Sequence, residues 1–221
     1  MKPRSLIRQA RPALGIAILG GLLFLSGCQT AGPKEPTRPV ESVTFAEKRL
    51  LDIVQRQEKI MESWDRDPAT YNRDSLEMQA VSLAREYESY LADNPNDLTA
   101  RILYGKLLIK LDQSETAIRQ FLEVDRQDPT LPVVKQQIGN YLVEHGRYMA
   151  ALPYFINARD LDPEEPLYLY QLGTLLYEFR DHYIADGFYT RETLDQEMQS
   201  AFAEAVRLDP ENFPYALRYA E

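Results

Sequence analysis

Residues 104–129 read YGKLLIKLDQSETAIRQFLEVDRQDP, and residues 138–163 read IGNYLVEHGRYMAALPYFINARDLDP. Set one over the other, they are two copies of one pattern displaced by 34 residues. Gly105 falls on Gly139, Leu108 on Leu142, Ala117 on Ala151 and Phe121 on Phe155. The same step carries Gly139 to Gly173 and Leu142 to Leu176. Pro95, Pro129 and Pro163 keep it too, each behind Asn94, Asp128 or Asp162, and the pair returns at Asp209-Pro210. A fixed period of this length marks a stack of like units, none of which buries its apolar face alone.

The pattern resembles the tetratricopeptide repeat, a helix–turn–helix unit of 34 residues. The resemblance rests on Tyr104-Gly105-x-x-Leu108, Ile138-Gly139-x-x-Leu142 and Leu172-Gly173-x-x-Leu176 for first helices. For second helices it rests on Ala117-x-x-x-Phe121, Ala151-x-x-x-Phe155 and Met198-x-x-x-Phe202. It implies an all-α fold, a tetratricopeptide-like α-solenoid of stacked antiparallel helix hairpins. Each residue type has a physical reason. Glycine costs about 1 kcal/mol inside a helix, offset where the missing side chain lets two helices close up. Ala117 and Ala151 do the same from the facing helix, and Phe121, Phe155 and Phe202 fill the contact from the same face. The Asn/Asp-Pro pairs disfavour helix before the proline and so end each second helix. Pro132, Pro166 and Pro214 fall near helix starts, where a missing N–H is harmless. Gly146 can end its helix in the left-handed conformation.

The units on this reading are 98–131, 132–165 and 166–212. The last is long, because Pro163 and Pro210 stand 47 apart where 34 is the rule. The roughly 13 extra residues are placed at 180–192, with helix resuming near Thr193, whose pairing with Gln196 reads as a capping box. Tyr183, Phe188 and Tyr189 in the insertion are candidate contacts for a partner, as aromatic side chains at a loop tip of a solenoid. The competing reading folds them back onto the adjacent helices. Residues 44–97 are expected to form a diverged helical hairpin that caps the stack. Thr44 and Glu47 make a capping box there. Phe45, Leu50, Ile53, Val54, Ile60, Met61 and Trp64 then recur at helical spacing, and a second helix at about 75–92 carries Leu76, Ala80, Leu83, Tyr87 and Leu91. Residues 213–221 read as the start of a further repeat or as a capping helix. Continuation is the expectation, since a lone half-unit leaves its apolar face uncovered.

The first 27 residues have another character. Lys2, Arg4, Arg8 and Arg11 precede an apolar run at 13–25. A basic start, a short apolar middle and a small-residue exit read as a secretory signal peptide. The run falls short of the ~20 residues a spanning helix needs. Its exit, Leu25-Ser26-Gly27-Cys28, resembles the lipobox of bacterial lipoproteins. That implies cleavage after Gly27, a diacylglyceryl group on the Cys28 sulfur and an acylated new N-terminus. Two or more acyl chains anchor stably where one does not. By the same resemblance, Gln29 after the cysteine implies sorting to the outer membrane, facing the periplasm. The competing reading makes Cys28 a buried free thiol behind an ordinary signal. Residues 28–43, with Pro33, Pro36 and Pro39, read as a flexible tether that would reach roughly 45 Å if stiff.

Composition narrows the function classes. The 221 residues carry 25 Lys and Arg against 34 Asp and Glu, a net charge of −9. The first 27 hold four of the bases and no acid, so the remainder carries 21 against 34, a net of −13. This balance disfavours nucleic acid and anionic lipid as partners of the protein surface. An apolar content of 44% excludes wholesale disorder, and a single cysteine excludes a disulfide scaffold. There is no H-E-x-x-H, no G-x-S-x-G and no phosphate-cradling glycine loop. The chain is therefore expected to be no enzyme and to need no metal, cofactor or small-molecule substrate, its one attached group being the lipid on Cys28. His145 and His182 are read as surface residues.

In the tetratricopeptide family the exposed side of the first helices lines a concave groove. Carried over, the resemblance points to Lys106, Ile109 and Lys110, then Gln136, Gln137, Asn140, Val143 and Glu144, then Tyr170, Gln171, Thr174, Tyr177 and Glu178. A polar, aromatic strip suits an extended peptide or a partner helix; a merely solvated face is the competing reading. The Lys/Asn/Arg pattern of the family's carboxylate clamps is missing. The expected function is that of a lipid-anchored, periplasm-facing adaptor that binds protein segments within a cell-envelope, secretion or pilus assembly complex. The alternatives are the recognition part of a longer enzyme, with its catalytic domain beyond residue 221, and a structural spacer.

Overall fold

The structure, a computed structural model, describes residues 44–64 and 73–220. The expected signal peptide, the lipobox at 25–28 and the tether at 28–43 lie outside the described residues, as does Glu221. Among the described residues the regular elements are all helices: α1 (Phe45–Trp64), α2 (Arg73–Asp93), α3 (Leu98–Lys110), α4 (Ser114–Gln127), α5 (Pro132–Glu144), α6 (Tyr148–Leu161), α7 (Pro166–Glu178), α8 (Arg180–Ala185), α9 (Arg191–Leu208) and α10 (Phe213–Ala220). They form a tetratricopeptide-like α-solenoid. The hairpins are α1 with α2, α3 with α4, α5 with α6 and α7 with α9, and each second helix packs on the next first helix.

One contact is made three times, in step with the repeat. A Cβ at Gly105 would stand 2.7 Å from Cζ of Phe121, one at Gly139 2.9 Å from Cε2 of Phe155, and one at Gly173 2.8 Å from Cε1 of Phe202. The glycines thus let three buried rings lie directly on the first helices. Each buried ring contributes about 1.5–3 kcal/mol. The helix ends follow the prolines. Helices α2, α4, α6 and α9 each stop one residue before an Asn/Asp-Pro pair, and Pro132 and Pro166 open α5 and α7.

The inter-helix turns explain the third unit. Asp112 has φ 58° and Gly146, 34 residues later, has φ 69°; both adopt the left-handed turn. The glycine was legible as a helix end; the aspartate is one of the few other residues that tolerates this conformation. Arg180 occupies the third such position and begins α8 instead. The insertion therefore holds a short helix, and α9 starts at Arg191, earlier than expected. The capping box at Thr193–Gln196 is corrected accordingly. Thr190, still extended at φ −76° and ψ 158°, is the cap, and it exchanges 3.2 Å hydrogen bonds with Thr193.

At the other end the Thr44 N–H donates to Glu47 Oε2 at 2.6 Å, and the Glu47 N–H donates to Thr44 Oγ1 at 3.2 Å. Ile53 and Ile60 are buried, but Phe45, expected on the same face, stands 84% exposed at the first residue of α1. A polar residue does part of the joining. The buried Gln57 accepts from the Tyr87 hydroxyl at 2.5 Å and donates to the Leu103 carbonyl at 3.3 Å, tying α1 to α2 and α3. Among the described residues no helix is long and apolar enough to cross a membrane.

Candidate functional site

Residues four apart share one face of a helix, so Asn140 and Glu144 on α5, and Tyr170, Thr174 and Glu178 on α7, form two facing rows. Between the rows opens a cleft of about 310 Å³. Val143 and Gln171 complete its walls, and Phe155 and Leu175 add apolar surface. A smaller cleft of about 70 Å³ lies between α3 and α5 and takes in Ile109, Gln137 and Tyr141. Asn140 and Glu144 line both, which makes the strip continuous from α3 to α7.

The polar groups of the larger cleft are short of partners. No hydrogen bond holds the side-chain amides of Asn140 or Gln171 among the described residues, and Gln171 Oε1 is buried without a donor. An unsatisfied buried acceptor costs about 1–3 kcal/mol, a cost that an incoming donor would remove. The Thr174 hydroxyl donates to the Tyr170 carbonyl at 2.9 Å. Glu144 and Glu178 are exposed and have no cationic partner among the described residues. Tyr170 is half-buried, its ring 4.7 Å from Tyr215 and 5.9 Å from Phe202. The Arg218 guanidinium of α10 lies over Tyr177 at 4.8 Å. In the smaller cleft Tyr141 donates to Glu115 at 2.9 Å, and this bond raises its phenol pKa.

Other expected positions lie elsewhere. Gln136 is 6% exposed and accepts from Gln137 Nε2 at 2.7 Å, so it belongs to the interior and not to the groove surface. Its helical position, one residue before Gln137, turns it away from the open side. Lys106 and Lys110 are exposed on α3, outside the larger cleft. Tyr183, a candidate contact in the insertion, is fully buried. Its hydroxyl donates to the Tyr148 carbonyl at 2.9 Å and its ring meets Tyr148 and Tyr189 edge-on, so it secures α8 and offers no surface. Tyr189 is half-buried beside it, while Phe188 is 61% exposed. His145 stacks on Tyr141 at 4.0 Å, and His182 packs against Tyr148 at 5.0 Å. Among the described residues no group of three or more His, Cys, Asp or Glu side chains could hold a metal ion. The sequence reading missed Phe155 as a cleft wall because it carries a packing motif, missed Leu175 because it falls between Gly173 and Leu176 at a position the motif leaves open, and missed Arg218 because nothing local pairs it with Tyr177.

The family profile described as "Tetratricopeptide repeat" matches residues 137–182. No curated protein matches the sequence. Among solved structures, MamA from Desulfovibrio magneticus RS-1 is similar at 17% identity and a TM-score of 0.54, over 80% of this chain and 84% of that one. YrrB, a tetratricopeptide protein described as having an unusual peptide-binding site, is similar at 16% identity and a TM-score of 0.52, over 80% of this chain and 89% of that one. A tetratricopeptide repeat protein from Parabacteroides merdae is similar at 11% identity and a TM-score of 0.55, over 78% of this chain and 58% of that one. At these identities the likeness speaks for the fold alone. Together with the glycine–phenylalanine contact made on α3, α5 and α7, it describes a tetratricopeptide-like α-solenoid, and residues 137–182 match the repeat's own profile.

Proposed function

We propose that this chain is an adaptor that captures an extended segment of another protein in the groove along α3, α5 and α7, while a lipid on Cys28 holds it at the bacterial cell envelope, at the outer membrane and facing the periplasm. The observation that carries the reading is the α5–α7 cleft, where the Asn140 and Gln171 amides stand without partners among the described residues. Two unpaired amides on facing helices suit a peptide backbone, which offers donors and acceptors in alternation. The fold shared with YrrB, described as having an unusual peptide-binding site, supports it. The resemblance of Leu25-Ser26-Gly27-Cys28 to a lipobox, with the proline-rich stretch behind it, supports a place in the envelope, where the adaptor would serve a cell-envelope, secretion or pilus assembly complex.

The groove is tested by placing a photo-crosslinking residue at Thr174 and irradiating intact membranes. A discrete crosslinked product should form, and Asn140→Ala with Gln171→Ala should remove it while the melting temperature stays as in the parent. Equal crosslinking in the double variant would reject the groove. The anchor is tested separately: Cys28→Ser should take up no labelled palmitate and should leave the membrane fraction. Labelling that persists would refute the lipobox reading.

A further inference from the structure

We infer that the α5–α7 cleft selects a cationic side chain, lysine or arginine, on the segment it binds; the inference rests on the groove reading above. The charged and buried polar groups of the cleft lean toward acceptors. Glu144 and Glu178 face the cleft from opposite walls, and ionised carboxylates only accept. Gln171 Oε1 is an acceptor without a donor among the described residues, and the Asn140 and Gln171 amide N–H groups are donors left for the peptide backbone. The Thr174 hydroxyl has its proton on the Tyr170 carbonyl and turns only lone pairs to other partners. An ammonium or guanidinium brings several donors and no acceptor, and at the rim would answer the exposed Glu144 and Glu178 carboxylates together.

The shape of the cleft fits the same side chains. Val143, Phe155 and Leu175 give the cleft apolar surface, which suits the methylene stem of a lysine or arginine whose charged head stays at the rim. The protein's own cations are placed elsewhere. Arg159 and Arg180 are paired with Glu197 and Asp195 in the third unit, and Lys135 is turned inward to Asp125 at 2.6 Å. Lys106 and Lys110 stand on α3, beyond the cleft. Beside it, Tyr177 already carries the guanidinium of Arg218 on its face, so this edge of α7 accepts a stacked cation. An acidic side chain in the same place would meet two carboxylates and no cation among the cleft walls.

The test uses the full chain in detergent and soluble nonapeptide pools, each with one residue fixed at the centre and the others randomised. The fixed residues are arginine, lysine, citrulline (the uncharged analogue of arginine) and glutamate. The arginine and lysine pools should bind about tenfold more tightly than the citrulline pool, the size of one charge-assisted contact, and the glutamate pool most weakly. The preference should fall with added salt. Glu144→Gln with Glu178→Gln, two exposed changes, should abolish the preference while leaving helicity and melting temperature intact. Equal binding of all four pools overturns the cationic selection and leaves the groove standing. A preference that survives the double variant overturns the assignment to these carboxylates. Binding of no pool overturns the groove and the selection together.

Discussion

At the scale of single residues the fold turns on the glycine–phenylalanine contacts. Gly139→Ala would set a methyl group 2.9 Å from Phe155 Cε2 and 3.1 Å from Cζ. Phe155 is 3% exposed and packed in the core, and its one open side is the wall it gives the α5–α7 cleft, so its ring can yield only by moving into that cleft. Alanine is worth about 1 kcal/mol over glycine in a helix, but overpacking costs about 1–3 kcal/mol. The packing effect prevails, and the variant should lose up to about 2 kcal/mol, seen as a lower guanidinium midpoint. Adding Phe155→Leu should restore part of it, because the shorter side chain vacates the contact. A midpoint at or above that of the parent would show that the ring yields. Gly146→Ala is the contrasting case. Nothing lies within 4 Å of its Cβ, so its cost, about 1 kcal/mol, comes from φ 69° alone and Phe155→Leu will not relieve it.

At the scale of the element, the insertion is where sequence and structure part most. Helix α8 is secured by the Tyr183 ring and hydroxyl, and by the Arg180 guanidinium, which meets Asp195 through two hydrogen bonds of 2.7 and 2.6 Å. Tyr183→Phe should lose one hydrogen bond, about 0.5–1.5 kcal/mol, and keep the segment closed. Tyr183→Ala empties a buried aromatic site, about 3–5 kcal/mol, and should release α8. Amide exchange over 183–190 should then accelerate strongly in the alanine variant and little in the phenylalanine variant, with α5 and α6 unaffected. Uniform protection in both would mean that Arg180 alone holds the insertion. The helices themselves were legible because period, proline and glycine are properties of the chain. The cleft was legible in outline, since Asn140, Glu144, Gln171 and Glu178 follow from position on a first helix. Gln57, Gln136 and Tyr183 were not. Whether a polar or aromatic side chain faces inward depends on which helix lies opposite, and a sequence does not carry that distance. The start of α8 was hidden for a similar reason, because Arg180 stands where a left-handed residue closes the turn in the other units.

At the scale of the whole molecule, two charge effects act in opposite directions as pH falls. The chain carries 34 acids against 25 bases and repels itself at neutral pH, so mild acidification relieves that repulsion. Against this, several carboxyls are held below their ordinary range. Arg56 lowers Glu86, Arg180 lowers Asp195, Arg207 lowers Glu204, and Arg126 with Gln127 takes Glu123 down to about 2. A carboxyl depressed in the fold binds its proton more readily in the unfolded chain. Its contribution is therefore complete above the unfolded value, near pH 4, and is lost as pH falls through the folded value. These pairs are largely exposed, so each contributes little and only their sum registers. The alkaline side has its own limit. Burial pushes up the phenols of Tyr87, Tyr104 and Tyr183, and burial with the Asp97 hydrogen bond takes Tyr90 to about 12. A phenol raised in the fold contributes fully below its ordinary value, about 10, and that contribution is lost as pH climbs through the folded value. The melting temperature should thus rise slightly from about pH 8 to about pH 5, fall below about pH 4 and fall again above about pH 10. Added salt should flatten the rise between pH 8 and 5, since screening weakens the repulsion behind it. A melting temperature that kept rising below pH 4 would show that relief of repulsion outweighs the paired carboxylates, and that the arginine pairs stabilise the solenoid less than their geometry implies.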